Sequence, residues 1–515
     1  MSYSKELSST FTHTKLRTPD HICHVSGMCA TCSDECNGLC EVGLSAVRGG
    51  EATYPYNTSN QQFASEKNYP FDYSHFNING RVFGAVGAAE DSEHTNVYTA
   101  DLNCEIGYKN IIKLKAPIIL PAIAKLDWKD YYSGAAMAGI IAVIGESAIK
   151  NDKELLHDCE GKVSNAPLLG EMVQHFRRFD TGYGDIVLQV NADDIALGTP
   201  EYALNNCDIK TLEIKFGQAA KGIQHVAPIN SYEEAVWLKK NGYLVDPDPF
   251  NESVKERYLK DMDFHFMQYG RLPMWNEEIL AKMINKYRSL GAKNIFFKMA
   301  GYDIEDIRRV LNIASDNHVA LVTFDGAGGG SGHSPCKMMN EWSYPTIELE
   351  KIVLQIMDDI KRKGKWLPAI AMAGGIAMED TIYKVLALGS PYIKLVAIGR
   401  GAMAAAMSAK KVGEMIERGN IPIAYKGFGK SVDEIFRESK RLKCKYRNIE
   451  KEITPGAVGV FSYIDRLSLG IQLFMTLNRK FGLKYINQRD VIPLTQEAKN
   501  YINELKQICT IDYDE

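Results

Sequence analysis

Between Ala116 and Ile398, short apolar runs alternate with longer stretches whose apolar residues recur at helical spacing, a pattern that predicts repeated strand–helix units. The runs are Ala116–Leu120, Gly139–Ile144, Asp185–Val190, Thr211–Phe216, Asn294–Met299, His318–Phe324, Leu367–Met372 and Tyr392–Ile398. Helical patterns lie between most of them, including Asn276–Leu290, Ile304–Asp316, Ile347–Arg362 and Asp380–Leu388. Eight such units imply an α/β fold, a closed parallel (β/α)8 TIM barrel. The stretch 221–290 is longer than an ordinary connection. Its Asp246-Pro-Asp-Pro and the aromatic-rich Phe264–Tyr269 suggest an excursion over the barrel mouth that could choose a substrate. Beyond the barrel, Tyr425–Glu515 reads as helical, with Ile464–Phe481 apolar on one face, packed under the barrel or against another subunit. The expected division is 1–110 (cysteine-rich segment), 111–424 (barrel) and 425–515 (C-terminal helical extension).

A closed barrel puts its chemistry at the carboxyl ends of the strands. Those ends are rich in glycine. After the sixth run comes Asp325-Gly-Ala-Gly-Gly-Gly-Ser-Gly-His333, followed by Ser334, Pro335 and Cys336. Gly326, Gly328 and Gly329 there suggest close backbone approach to something flat or phosphorylated. The seventh run ends in Ala373-Gly374-Gly375 and the eighth in Gly399-Arg400-Gly401-Ala402, each expected to run directly into a helix whose bare amides bind phosphate. Glycine also merely shapes turns. Placement after the last two strands nevertheless suits a phosphate-tailed cofactor lying across the mouth, with FMN as the natural candidate.

Five of the eleven cysteines, Cys23, Cys29, Cys32, Cys36 and Cys40, lie close together near the amino terminus. Such spacing lets one loop wrap thiolates around a single inorganic core, and Gly27 and Gly38 permit the turns. One Cys-x-x-Cys pair, Cys29 with Cys32, fits poorly with the two separated knuckles usual for structural zinc. The spacing favours a four-iron four-sulfur cluster on Cys29, Cys32, Cys36 and Cys40 over zinc or no metal. Cys23 is the spare, and His21 and His24 are alternative ligands or plain loop residues.

Composition narrows the partners. With 45% hydrophobic and 24% charged residues the chain falls in the globular range, and a net charge of −4 offers no global positive field for nucleic acid. No signal-peptide core or membrane-spanning run is read, so a cytoplasmic location with reduced thiols is expected.

Glu213-Ile-Lys-Phe-Gly-Gln-Ala-Ala-Lys221, Phe296-Phe-Lys-Met, Asp325–Pro335, Gly145-Glu146 and Asp180-Thr-Gly-Tyr-Gly184 follow one another in an order that resembles the FMN-binding synthase domain of glutamate synthase, in its short archaeal-type and stand-alone forms. The resemblance covers roughly residues 110–500. It implies that Gly374, Gly375, Gly399, Arg400, Gly401 and the Asp325–Gly329 loop hold FMN, with Gln218 and Lys298 at its ring. A cation there would stabilise the anionic reduced flavin, although an interior lysine can instead pair with Asp or Glu across the barrel. Lys221 would hold a substrate carboxylate, in preference to Lys215, which can as easily be solvated. Glu146 either moves a proton or caps a helix start. His333 is a proton carrier or a loop residue, and Cys336 a nucleophile or a small filler.

Two departures matter. The family's three cysteines after the eighth strand are missing from 400–420, which makes the amino-terminal cluster the expected electron route, and the family's glutamine-hydrolysing domain is missing too. The resulting expectation is an FMN- and iron-sulfur-dependent oxidoreductase that reduces an imino acid to an amino acid. Its partners would be a small anionic amino-acid-like substrate, an electron-donor protein and, in a homo-oligomer, further copies of itself. An amine-transferring subunit similar to that of methylamine-glutamate synthase and an electron-relay subunit are the alternatives.

Overall fold

The computed structural model describes residues 46–50, 69–88, 94–122, 127–217, 224, 226–260, 265–329, 334–335, 338 and 341–508. Eight parallel strands close a barrel: β1 (Ile118–Leu120), β2 (Ile141–Ile144), β3 (Ile186–Val190), β4 (Thr211–Lys215), β5 (Asn294–Ala300), β6 (Leu321–Asp325), β7 (Ala369–Ala373) and β8 (Ile393–Ala397). Each pairs in parallel with its sequence neighbour, and β8 closes on β1. All eight expected runs are the barrel strands, with starts trimmed by up to three residues. Parallel strands covered on both faces are apolar throughout, which is why their runs stand out from the amphipathic helices.

The helices that follow are α1 (Trp128–Ala138), α2 (Pro167–Arg178), α3 (Thr199–Asn206), α4 (Glu277–Ser289), α5 (Ile304–Asp316), α6 (Thr346–Arg362), α7 (Glu379–Leu388) and α8 (Arg400–Glu417). Their starts are encoded locally. Asn276 accepts the Ile279 amide at 2.9 Å and Asp303 the Glu305 amide at 2.9 Å, each satisfying a donor that the first helical turn leaves open. Alternate strand positions split the core in two. Ile119, Val143, Val187, Phe296, Leu321, Ala371 and Leu395 fill the barrel, while Ile118, Ile144, Leu212, Phe297 and Val396 pack outward against the helices. A hairpin of Cys104–Ile106 with Ile112–Leu114 plugs the amino-terminal end of the barrel, adding Ile106, Ile112 and Leu114 to the inner cluster.

The excursion after β4 is a three-stranded antiparallel sheet, Val226–Ile229, Phe266–Tyr269 and Leu244–Asp246, with helices Tyr232–Lys240 and Glu252–Lys260. It is fastened to the loops after β2 and β3, where Lys150 donates to Gln268 at 2.5 Å and Arg271 meets Asp193 at 2.7 Å.

The C-terminal extension corrects the expected placement. Its long helix α9 (Pro455–Leu477) packs on the flank of the barrel between α1 and α8, not beneath it. Thr454 caps it by accepting the Ala457 amide at 3.1 Å, and Pro455 occupies its first turn. Glycines make the contact close: a Cβ at Gly459 would strike Ala405 and Ala409 of α8, and one at Gly134 of α1 would strike Val460. Nor is the extension wholly helical. Val491–Pro493 forms an antiparallel pair with Phe76–Ile78, ahead of the last helix, α10 (Gln496–Ile508). No helix among the described residues is long and apolar enough to cross a membrane.

Candidate active site at the carboxyl ends of the strands

In β4 the inward positions are Thr211, Glu213 and Lys215, so period-two alternation carries two charged side chains into the barrel mouth. Lys298 of β5 stands in register with Lys215 on one side and Thr323 of β6 on the other. Two neighbouring buried cations require compensation. Glu146, just beyond β2, accepts from Lys215 at 2.5 Å, and Asp325, at the end of β6, lies 3.9 Å from Lys298. Glu213 accepts from Gln189 of β3 at 2.5 Å. Gln189 Oε1 and Thr323 Oγ1 are buried with no hydrogen-bond partner among the described residues, leaving polar capacity in an otherwise filled barrel.

The carboxyls divide by neighbourhood. Burial raises Glu146, but Lys215 and Lys298 outweigh it and hold the group below its usual value. Glu213 is raised by burial, only partly offset by Lys298, Gln189 and Lys215. Asp194, which accepts the Ser147 amide at 3.0 Å and the Asn191 amide at 3.1 Å, is pushed up to about 7 by burial, against those amides and with help from nearby Glu146. Glu146 is thus biased toward its ionised form, and Glu213 and Asp194 toward the acid form.

These positions revise several expectations. Lys215, ranked behind Lys221 because it can as easily be solvated, is buried at 7% exposure and pairs with Glu146. Glu146 caps no helix, since the short helix Ala148–Asn151 starts after Ser147 and Glu146 faces the lysine instead. Lys298 has a carboxylate in reach, as its alternative reading expected, but on the neighbouring strand, not across the barrel. Gln189 and Thr323 were missed. Their signal was a polar residue at an inward position of an apolar strand.

The glycine loops also read differently. Gly326 donates to Ala373 at 2.9 Å, Thr346 donates to Gly374 at 2.7 Å, and a Cβ at Gly328 would lie 2.9 Å from the Gly374 carbonyl carbon. A Cβ at Gly329 would collide with the Asp325 carboxylate. These glycines let two loops interlock; their close approach is to one another. Gly375 differs, with φ +80° and open space where a Cβ would be. β7 does not run directly into its helix either, because Ile376–Met378 intervene before α7. The first turn of α7 carries Glu379 and Asp380, which already answer its dipole. α8 has neither a capping side chain nor a first-turn acid, and begins with Arg400. Arg400 reaches toward the Gly328 carbonyl at 3.4 Å, and burial lowers its guanidinium against the pull of Asp325. Gly399 and the α8 amides, which follow β8 where its Ala397 pairs with Ala373 of β7, therefore form a corner suited to an anion. At Gly401 the missing side chain makes room for Tyr463 of α9.

Gln218, Lys221, His333 and Cys336 lie outside the described residues, as do Cys29, Cys32, Cys36 and Cys40. Among the described residues no group of three or more His, Cys, Asp or Glu is arranged to hold a metal ion.

No family model matches the chain, and no curated protein matches it. Solved structures similar to it include a mutant flavocytochrome b2 with sulfite bound, at 13% identity and TM-score 0.45 over 86% of this chain and 80% of that one. Others are an (S)-mandelate dehydrogenase (13%, TM-score 0.43, 82% of this chain and 89% of that one) and a mandelate oxidase mutant with a monooxide FMN adduct (12%, TM-score 0.43, 82% and 88%). None of these three is a glutamate synthase. The barrel is established independently of them, by its strand order and parallel pairing.

Proposed function

We propose that the protein is an FMN-dependent oxidoreductase acting on a small anionic substrate at the barrel mouth. One observation carries the reading. The α8 amino terminus, uncapped, free of first-turn acid and led by Arg400, follows β8, whose Ala397 pairs with Ala373 two residues before the open Gly375, at a mouth holding two buried lysines. The residues fit a phosphate-tailed ring: Gly375, Gly399 and the α8 amides would take the phosphate, and Lys298 would face the ring. FMN, when bound, supplies two-electron hydride chemistry. Lys215 and Lys298 attract and orient an anionic substrate, Glu146 keeps Lys215 in place, and Glu213, its carboxyl raised by burial, lies on the same inward face as Lys215.

In its finer form the reaction is reduction of a 2-imino acid to an amino acid, with Lys221 on the substrate carboxylate and electrons relayed through a cluster on Cys29, Cys32, Cys36 and Cys40. Anaerobically purified protein tests each layer. A flavin spectrum restored by added FMN supports the cofactor, and a preparation that stays colourless with excess FMN ends the reading. Iron and acid-labile sulfide test the cluster, which zinc without iron would remove. Reoxidation of the reduced flavin by 2-oxoglutarate with ammonia supports imino-acid reduction, and an unchanged reduced spectrum excludes glutamate formation while sparing the cofactor.

A further inference from the structure

The anion corner is held from outside by a single helix. α9 turns Tyr463, Arg466 and Gly470 toward the loop between β7 and α7. The Tyr463 hydroxyl donates to the Ala377 carbonyl, and Arg466 reaches Glu379 at 2.7 Å and the Met378 sulfur at 3.2 Å. A Cβ at Gly470 would strike the Glu379 side chain, so only glycine admits this approach. The Tyr463 hydroxyl also lies where a Cβ at Gly401 would sit. One phenol therefore touches both the loop after β7 and the second residue of α8.

Each contact bears on how the corner receives charge. A trans peptide is planar with its C=O and N–H opposed, so fixing the Ala377 carbonyl on Tyr463 turns the Met378 N–H away from α9. Burial, reduced by Arg466 and reinforced by Glu379, pushes the Tyr463 hydroxyl up to about 12, and it remains a donor throughout the neutral range. Glu379 would repel an anion bound nearby. Arg466 neutralises it, and the bare glycine at 401 lets α8 sit directly against Tyr463.

We propose that α9 sets the affinity of the corner for a phosphate group, with Tyr463 and Arg466 as positioning residues that hold the Ala377–Glu379 loop and the α8 amino terminus in their receiving arrangement. This rests on the flavin reading above. Its signature is discrimination between FMN and riboflavin, which share a ring and differ in the phosphate.

The full-length protein, stripped of flavin, is titrated with each ligand by fluorescence quenching. Tyr463→Phe and Arg466→Gln are each expected to weaken FMN about five- to tenfold, the scale of one lost hydrogen bond or charge-assisted contact, with riboflavin changed by less than about twofold. Arg466→Lys keeps the charge and should retain most of the FMN affinity. Equal losses for both ligands, or an unchanged FMN constant in both variants, would overturn this role and leave the flavin reading intact. Failure of the parent protein to bind FMN would overturn both.

Discussion

Lys215 and Glu146 show how a strand converts alternation into electrostatics. Once β4 is committed to the barrel, Lys215 must point inward, and a buried ammonium survives only with a carboxylate in reach. Removing one partner strands the other. Lys215→Met should therefore destabilise the protein by ~3 kcal/mol in urea unfolding at pH 7, and adding Glu146→Gln should recover much of the loss. A single variant as stable as the parent would show the pair to be dispensable. Asp194 carries a pH prediction of defined sign. Its folded value, about 7, lies above the ordinary 3.8, so its contribution to stability is fully present below about pH 4 and is lost as pH rises through 7. Asp194→Asn should flatten that part of the stability profile between pH 4 and 8. Parallel profiles for parent and variant would refute the assignment. The sequence made Lys298, Glu146, Lys215 and Asp325 visible one by one, but not which of them pair. Register across strands decides which side chains meet, and it is written in no single segment.

At the level of elements, each barrel strand could be read because burial on both faces leaves an unbroken apolar run. The sheet of 226–269 escaped because its strands are three or four residues long and sit among polar turns. The plug hairpin escaped for the same reason. The glycine loops were located correctly and explained only in part: spacing reveals that backbone comes close to something, and here the neighbour is mostly another loop. Gly374 is the sharpest case, with φ +111° and Thr346 Oγ1 2.8 Å from where a Cβ would be. Gly374→Ala should cost about 1–3 kcal/mol in strain and weaken flavin binding by unlocking the β6 and β7 loops from each other. Gly375→Ser meets no protein neighbour among the described residues, and its cost in stability should be confined to the backbone. Equal unfolding midpoints for the parent and Gly374→Ala would count against the interlock.

For the molecule as a whole, barrel and extension depend on each other. α9 covers apolar surface of α1 and α8, where Ala135, Ala136, Ala402, Ala406, Val460 and Ile464 are all buried. A chain ending at Thr454 should bind a hydrophobic dye and elute as aggregate, because it uncovers a contiguous apolar flank on α1 and α8. A monodisperse, cooperatively unfolding product would show the barrel to be self-sufficient. Nothing in the sequence announced this arrangement. An apolar helical face says that it will be covered, and the choice between a second subunit and the flank of its own barrel depends on chain geometry.

The pairing of Phe76–Ile78 with Val491–Pro493 has a consequence for biogenesis. Those partners are separated by more than 400 residues, and Tyr73 likewise waits for Glu350, which it meets at 2.6 Å. On the ribosome, the early strand emerges long before the stretch that completes it. Barrel units can dock in order as they are translated, each on its predecessor, but Phe76–Ile78 must stay unpaired until Val491–Pro493 has been made. Chaperone demand and vulnerability to proteases should therefore persist until Val491–Pro493 is free to pair, and fall once it does.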